Sequence, residues 1–140
     1  MTDIAKHAKL THAGALKMIE AGIAKALEIN VPQCITVTDD GGRLLAFVRM
    51  DRAKFLSIQS SHYKAITAVS SGVPTGGVDA DVEMKLAHAS SGQLVNLKGG
   101  VPIIVDGMVI GGIGVGSGTG EQDLEVAKAG IAAIAGATAF

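Results

Sequence analysis

The chain has 140 residues and a formal net charge of −1, with 48% hydrophobic but only 3% aromatic residues. That length fits one domain, residues 1–140, with a core of Ala, Val, Ile and Leu, and the near-neutral charge without Trp argues against nucleic-acid binding. The sequence has no secretion signal and no bilayer-spanning stretch, so we expect a cytoplasmic protein with no membrane contact. Its single cysteine, Cys34, lies among apolar residues and is expected to be a small buried hydrophobe.

The first half of the chain predicts a helix, a hairpin and two further helices. A helix over residues 11–29, capped by Thr11, has one apolar stripe composed of Leu16, Ile19, Ile23 and Leu27. Val31–Asp51 reads as two strands joined by the tight turn Asp40-Gly41-Gly42. A helical pattern then includes His62, and a shorter helix is predicted over Val78–Ala89.

The second half predicts three strands and a final helix. The strands are Gln93–Leu97, Val101–Val105 and Met108–Val115, the last two joined by the hairpin signal Asp106-Gly107. Thr119 and Gln122 form a capping box that begins the last helix. The order α-β-β-α-α-β-β-β-α predicts an α+β domain with one five-stranded antiparallel sheet and packed helices.

The glycine-rich run GGIGVGSGTGEQD allows two interpretations. It lacks both GxGxxG and the Lys-Ser/Thr pair of a phosphate loop. Gly111, Gly112 and Gly114 therefore predict a strand that a helix or another subunit crosses closely. The alternative is an anion bound near the start of the Thr119 helix.

Several charged residues are candidates for chemistry. Arg49 and Asp51, at the end of the hairpin, form either a solvated ion pair or an anion-binding Arg oriented by its neighbour. Lys64 is either a solvated surface residue or a base, Schiff-base amine or anion clamp. Glu121 lies in the first turn of the last helix, where the helix dipole favours acidic side chains.

Four histidines, His7, His12, His62 and His88, are scattered along the chain. None forms an HxH, HExxH or Cys/His pair, so we predict no metal site built from protein ligands alone. A lone histidine can nevertheless ligate haem iron, and His12 and His62 are the candidates for that role.

Four motifs in order resemble the GlcG/HbpS family: VTDDGGRLLAFVRMD, KAITA, GGVPI and IGGIGVGSGTGEQDLEVAKAG. That family includes the C-terminal domain of PduO-type proteins. The resemblance implies a compact domain of the predicted kind that forms homo-oligomers, commonly octamers. Some members bind, sense or degrade haem, others accompany cobalamin enzymes or lie among genes for glycolate or aromatic catabolism. Arg52, Lys54 and Lys98 depart from the family pattern and add positive charge.

The resemblance favours a haem- or tetrapyrrole-binding protein as the first functional hypothesis. His12 or His62 would ligate the iron, and Arg49 or Lys64 would hold the propionates. Besides other copies of itself, the expected partner is a small anionic ligand.

The second hypothesis is an enzyme without an organic cofactor that acts on a small carboxylate. Arg49 would fix the carboxylate, and Lys64, Glu121 or Asp51 would move protons in an isomerisation, tautomerisation or hydrolysis. Under either hypothesis we expect Arg49, Lys64 and Glu121 to meet in one pocket.

Overall fold

A computed structural model describes residues 1–140 as one antiparallel sheet with four helices. The strands are β1 (Cys34–Asp39), β2 (Leu44–Arg49), β3 (Gly100–Val105) and β4 (Met108–Gly116), in the order β2-β1-β4-β3. The helices are α1 (His12–Glu28), α2 (Ser57–Ser71), α3 (Ala80–Ala89) and α4 (Gly120–Ala132). Each helix is too short or too polar to span a lipid bilayer.

The prediction of five strands is wrong, because the sheet has four and Gln93–Leu97 joins no strand. Side chains bond the polar groups that a neighbouring strand would otherwise pair with. Thr67 of α2 donates to the Gln93 carbonyl and accepts from the Val95 amide, at 3.4 and 3.0 Å. Asn96 bonds both the amide and the carbonyl of Val78, at 2.9 Å each. Thr67 thus replaces a neighbouring strand for Gln93 and Val95, and Asn96 ties the segment to the loop before α3.

The local signals for helix ends and turns are confirmed. Thr11 accepts the Gly14 amide at 3.0 Å and caps α1. Thr119 and Gln122 form the predicted reciprocal capping box at the start of α4. The β3–β4 turn places Asp106 and Gly107 at φ of 50° and 75°, the pair of positive values that a two-residue hairpin turn requires.

Helices α1 and α4 pack on one face of the sheet and α2 packs on the other. The buried side of α1 differs from the predicted stripe, because Leu16 and Leu27 are 53% and 67% exposed. Ala15, Gly22 and Ala26 take core positions beside Met18 and the predicted Ile19, and at Gly22 the helix lies so close that a Cβ would meet Ile35 of β1. The buried residues of α1 are Ala15, Met18, Ile19, Gly22 and Ala26.

Alternate residues of β4 are glycines that lie directly beneath the α2 backbone. A Cβ on Gly112 would lie 2.7 Å from the Ala65 carbonyl oxygen. One on Gly114 would lie 2.6 Å from the Ala65 amide nitrogen and closer still to the Ser61 carbonyl. The predicted close crossing of the glycine strand is therefore confirmed, and the crossing element is α2.

We predict that Gly114→Ala destabilises the fold by about 1 to 3 kcal/mol, because the added methyl group meets helix backbone that cannot rotate away. Gly77→Ala is the matched control, since a Cβ there meets nothing within 4 Å. Urea unfolding followed by circular dichroism measures both variants. Equal midpoints for the two would contradict the packing described here.

Candidate functional site

A cleft of ≈ 590 Å³ lies where β2 extends beyond the cover of α2, and we call it the His62 cleft. Leu44 and Phe47 of β2 line it, and Phe47 pairs with Thr36 of β1, which lines it as well. The volume falls within the usual range for small-molecule sites, roughly 300 to 1,000 Å³. The full lining is Thr36, Gly42, Arg43, Leu44, Phe47, Ile58, Gln59, His62 and Tyr63.

One wall of the His62 cleft comes from α2 and carries its polar atoms. His62 is half-buried, and its ring lies 6.3 Å from that of Tyr63 at 43°. The Tyr63 hydroxyl accepts from the Gln59 amide nitrogen at 3.1 Å. The opposite wall is apolar, and Leu44 and Phe47 of β2 are 58% and 37% exposed there.

Arg43 supplies positive charge at the rim of this cleft. Its backbone amide donates to the Asp39 carboxylate at 2.9 Å, which fixes the turn that carries it. The guanidinium belongs to none of the four ion pairs in the chain and is free to meet an anion. His12, by contrast, is exposed in the first turn of α1 and does not line the His62 cleft.

Lys64 is buried, so it is not the solvated surface residue that the sequence analysis gave as one alternative. Its ammonium donates to Asp123 Oδ2 and to the Val115 carbonyl, both at 2.8 Å. The side chains of Lys64 and Asp123 are only 6% and 4% exposed. The Gly118 amide donates to the other Asp123 oxygen at 2.9 Å. This buried pair therefore ties α2, β4 and α4 together.

Arg49, Lys64 and Glu121 are not brought together. Glu121 is exposed and accepts from the Lys98 ammonium at 2.5 Å, and that contact holds the pKa of the Glu121 carboxyl below its usual value. Arg49 and Asp51 line a second cleft that neither Lys64 nor Glu121 reaches.

Cys34 is fully buried, as its apolar context predicts. Its thiol donates to the Lys54 carbonyl, with 3.6 Å between sulfur and oxygen. Burial raises the pKa of the Cys34 thiol, and the nearby Ser117 hydroxyl and Arg49 guanidinium only partly offset this. The protonated thiol is a packing group rather than a nucleophile.

The sequence analysis did not identify Asp123 and Arg43 as residues of these sites. Of the two, only Asp123 could have been recognised from the sequence. Asp123 shares the buried stripe of α4 with Val126 and Ala127. A carboxylate on a buried stripe requires a partner, and Lys64 on the buried stripe of α2 supplies it. Arg43 could not be recognised from the sequence, because it lies in a hairpin turn and the cleft it lines is formed by residues distant along the chain.

The model of the family described as "Haem degrading protein HbpS-like" matches residues 10–132. The chain belongs to this family. It is 40% identical over 126 residues to an uncharacterized 15.0 kDa protein of the dhaT-dhaS intergenic region in Citrobacter freundii, covering 86% of this chain and 89% of the relative. It is also 40% identical over 107 residues to Protein GlcG of Escherichia coli K12, covering 76% and 80%. The GlcG/HbpS resemblance is thus confirmed.

Solved structures of similar proteins share the fold. Klebsiella pneumoniae protein ORFY superposes with a TM-score of 0.88 at 32% identity, over 95% of this chain and 96% of that one. A complex of PduOC with haem gives a TM-score of 0.86 at 28% identity, over 94% and 99%.

We predict that Lys64→Met lowers the free energy of unfolding by about 3 to 5 kcal/mol, because it leaves the Asp123 carboxylate buried without a cation. The double variant Lys64→Met/Asp123→Leu should recover most of that loss. Lys98→Met is the control, since its ion pair is exposed and should matter little. Wild-type stability of Lys64→Met in urea unfolding would contradict a structural role for the pair.

Proposed function

We propose that the chain binds haem in the His62 cleft, with His62 as the axial ligand of the iron. The observation that carries this proposal is the position of His62, half-buried in a cleft of ≈ 590 Å³ with an apolar opposite wall. A neutral imidazole is a common haem ligand. When bound, haem would supply an iron centre, and the protein would orient and shield it.

The apolar side chains of the cleft suit a porphyrin. Leu44, Phe47 and Ile58 are 58%, 37% and 43% exposed in the single chain, and all three line the cleft. Covering these groups with a flat apolar ligand gains roughly 25 cal/mol for each Å² removed from water. The exposed wall of β2 is thus an interaction surface rather than ordinary solvated strand.

Arg43 is the best-placed cation for a haem propionate. It lines the His62 cleft and has no carboxylate partner in the chain. An arginine fork can hold a carboxylate with two hydrogen bonds. Lys64 is less suited to this role because Asp123 already holds its ammonium.

Membership of the HbpS-like family supports haem as the ligand, and the solved complex of PduOC with haem supports it further. The catalytic alternative finds less support in the geometry. Of its three candidates for proton transfer, Lys64 and Glu121 are engaged in separate ion pairs, and only Asp51 lines the same cleft as Arg49.

We also propose that the chain assembles into a homo-oligomer, such as an octamer. Helix α3 supports this, because none of its residues is buried in the single chain. Met84 is 76% exposed, and Val82 and Leu86 are 36% and 38% exposed on the same helix. Apolar side chains left open on a helix in this way are typical of a surface that another chain covers.

We predict that haemin titrated into the protein gives a shifted Soret band that His62→Ala abolishes, because the iron loses its protein ligand. His12→Ala is the matched control and should leave the band unchanged. Arg43→Ala should keep the band but weaken haemin binding by about tenfold, the value of one charge-assisted hydrogen bond.

Circular dichroism of each variant checks that the fold is intact. A Soret band lost in His12→Ala and kept in His62→Ala would refute the proposed site. A wild-type spectrum equal to that of haemin with an unrelated protein would refute haem binding itself.

A further inference from the structure

A second cleft, of ≈ 580 Å³, lies between the last turns of α1 and the end of β2. We call it the Arg49 cleft. It shares no lining residue with the His62 cleft. Its walls are mostly apolar and its rim is charged. The lining includes Ile23, Val48, Arg49, Met50, Asp51 and Arg52.

Two guanidinium groups stand at the rim of this cleft. Arg49 and Arg52 are both exposed, and neither belongs to any of the four ion pairs of the chain. Asp51 also lines the cleft, so the charged rim carries a net charge of +1. Such a rim favours a monoanion, because a second negative charge would meet the Asp51 carboxylate.

Arg52 is held at the rim in an unfavourable backbone conformation. Its φ of 69° lies in the left-handed region, where glycine is the favoured residue. The neighbouring turn is fixed on both sides, since the Ala53 amide donates to the Met50 carbonyl and the Lys54 amide to the Ser117 hydroxyl, at 3.0 Å each. Folding gains nothing evident from an arginine here, whereas ligand binding would explain it.

We propose that the Arg49 cleft binds a small monocarboxylate with an apolar tail. The carboxylate would lie between Arg49 and Arg52, each able to donate to it in a bidentate manner. The tail would lie against the apolar walls formed by Ile23, Val48 and Met50. The cleft volume allows a chain of several carbons or one aromatic ring. Carboxylate binding here does not require haem in the other cleft, because the two clefts share no residue.

The test is calorimetric titration of octanoate into the wild-type protein and into Arg52→Gly. We expect wild type to bind octanoate, and Arg52→Gly to bind it about tenfold more weakly because one charge-assisted contact is lost. The same variant should unfold at an equal or higher temperature, since glycine relieves the positive φ. If Arg52 instead served only to stabilise the fold, Arg52→Gly should unfold at a lower temperature than wild type.

Two controls separate this site from the haem site. Octanol has the same tail without the charge and should bind far more weakly than octanoate. Arg43→Ala should leave octanoate binding unchanged, and Arg52→Gly should leave the haemin Soret band unchanged. Failure of either proposal can therefore be told apart from failure of the other.

Several outcomes would overturn the carboxylate proposal. They are no binding of octanoate to wild type, equal affinity in Arg52→Gly, or equal binding of octanol. Cross-linking that places Arg49 between two copies of the chain, together with no octanoate binding, would instead identify the cleft as a subunit interface.

Discussion

The contact between the α2 backbone and the glycines of the sheet sets the positions of the His62 cleft and of the buried Lys64–Asp123 pair. Gly112, Gly114 and Gly116 present no side chains to α2, and Gly100 of β3 continues the same surface. Any Cβ there would overlap or crowd the helix. The helix therefore lies over β4 and its neighbours and leaves the same face of β2 uncovered, which creates the His62 cleft.

This close packing also explains how a lysine can be buried. With α2 pressed against the sheet, the Lys64 ammonium reaches the Val115 carbonyl near the end of β4 and the Asp123 carboxylate of α4. Taking both charges out of water is costly, so the pair adds little net stability compared with apolar residues of similar volume. Its effect is to fix where α4 and the loop at Gly118 meet α2. A second buried link, 2.8 Å between the hydroxyls of Thr36 and Ser61, holds α2 to β1 in the same way.

The parts of the fold encoded by adjacent residues could be predicted from the sequence. The Thr119 capping box and the Asp106-Gly107 turn need only neighbours a few residues away. Gln93–Leu97 has the composition of a strand. Whether it pairs in the sheet depends on Thr67 of α2, which is distant from it in the sequence and bonds its backbone. Competition between a strand and side-chain hydrogen bonds is decided by tertiary contacts that no local pattern contains.

The site was predictable to a similar degree. His62 was identified by residue type and lines a cleft, although nothing in its own neighbourhood distinguished it from His12. The expectation that Arg49, Lys64 and Glu121 share one pocket treated sequence motifs as spatial neighbours, whereas the ion pairs separate them. The buried stripes of the helices were more informative about which charged residues pair, since Lys64 and Asp123 each interrupt a stripe of small or apolar residues.

The central claim is that the strand face left open by α2 is a haem site with His62 at its wall. A crystal structure of the protein grown with haemin, with the iron located by its anomalous scattering, tests this most directly. The account predicts an iron peak within coordination distance of the His62 imidazole, with the porphyrin against Phe47 and Leu44. An iron peak beside His12, or one between subunits away from β2, would contradict it.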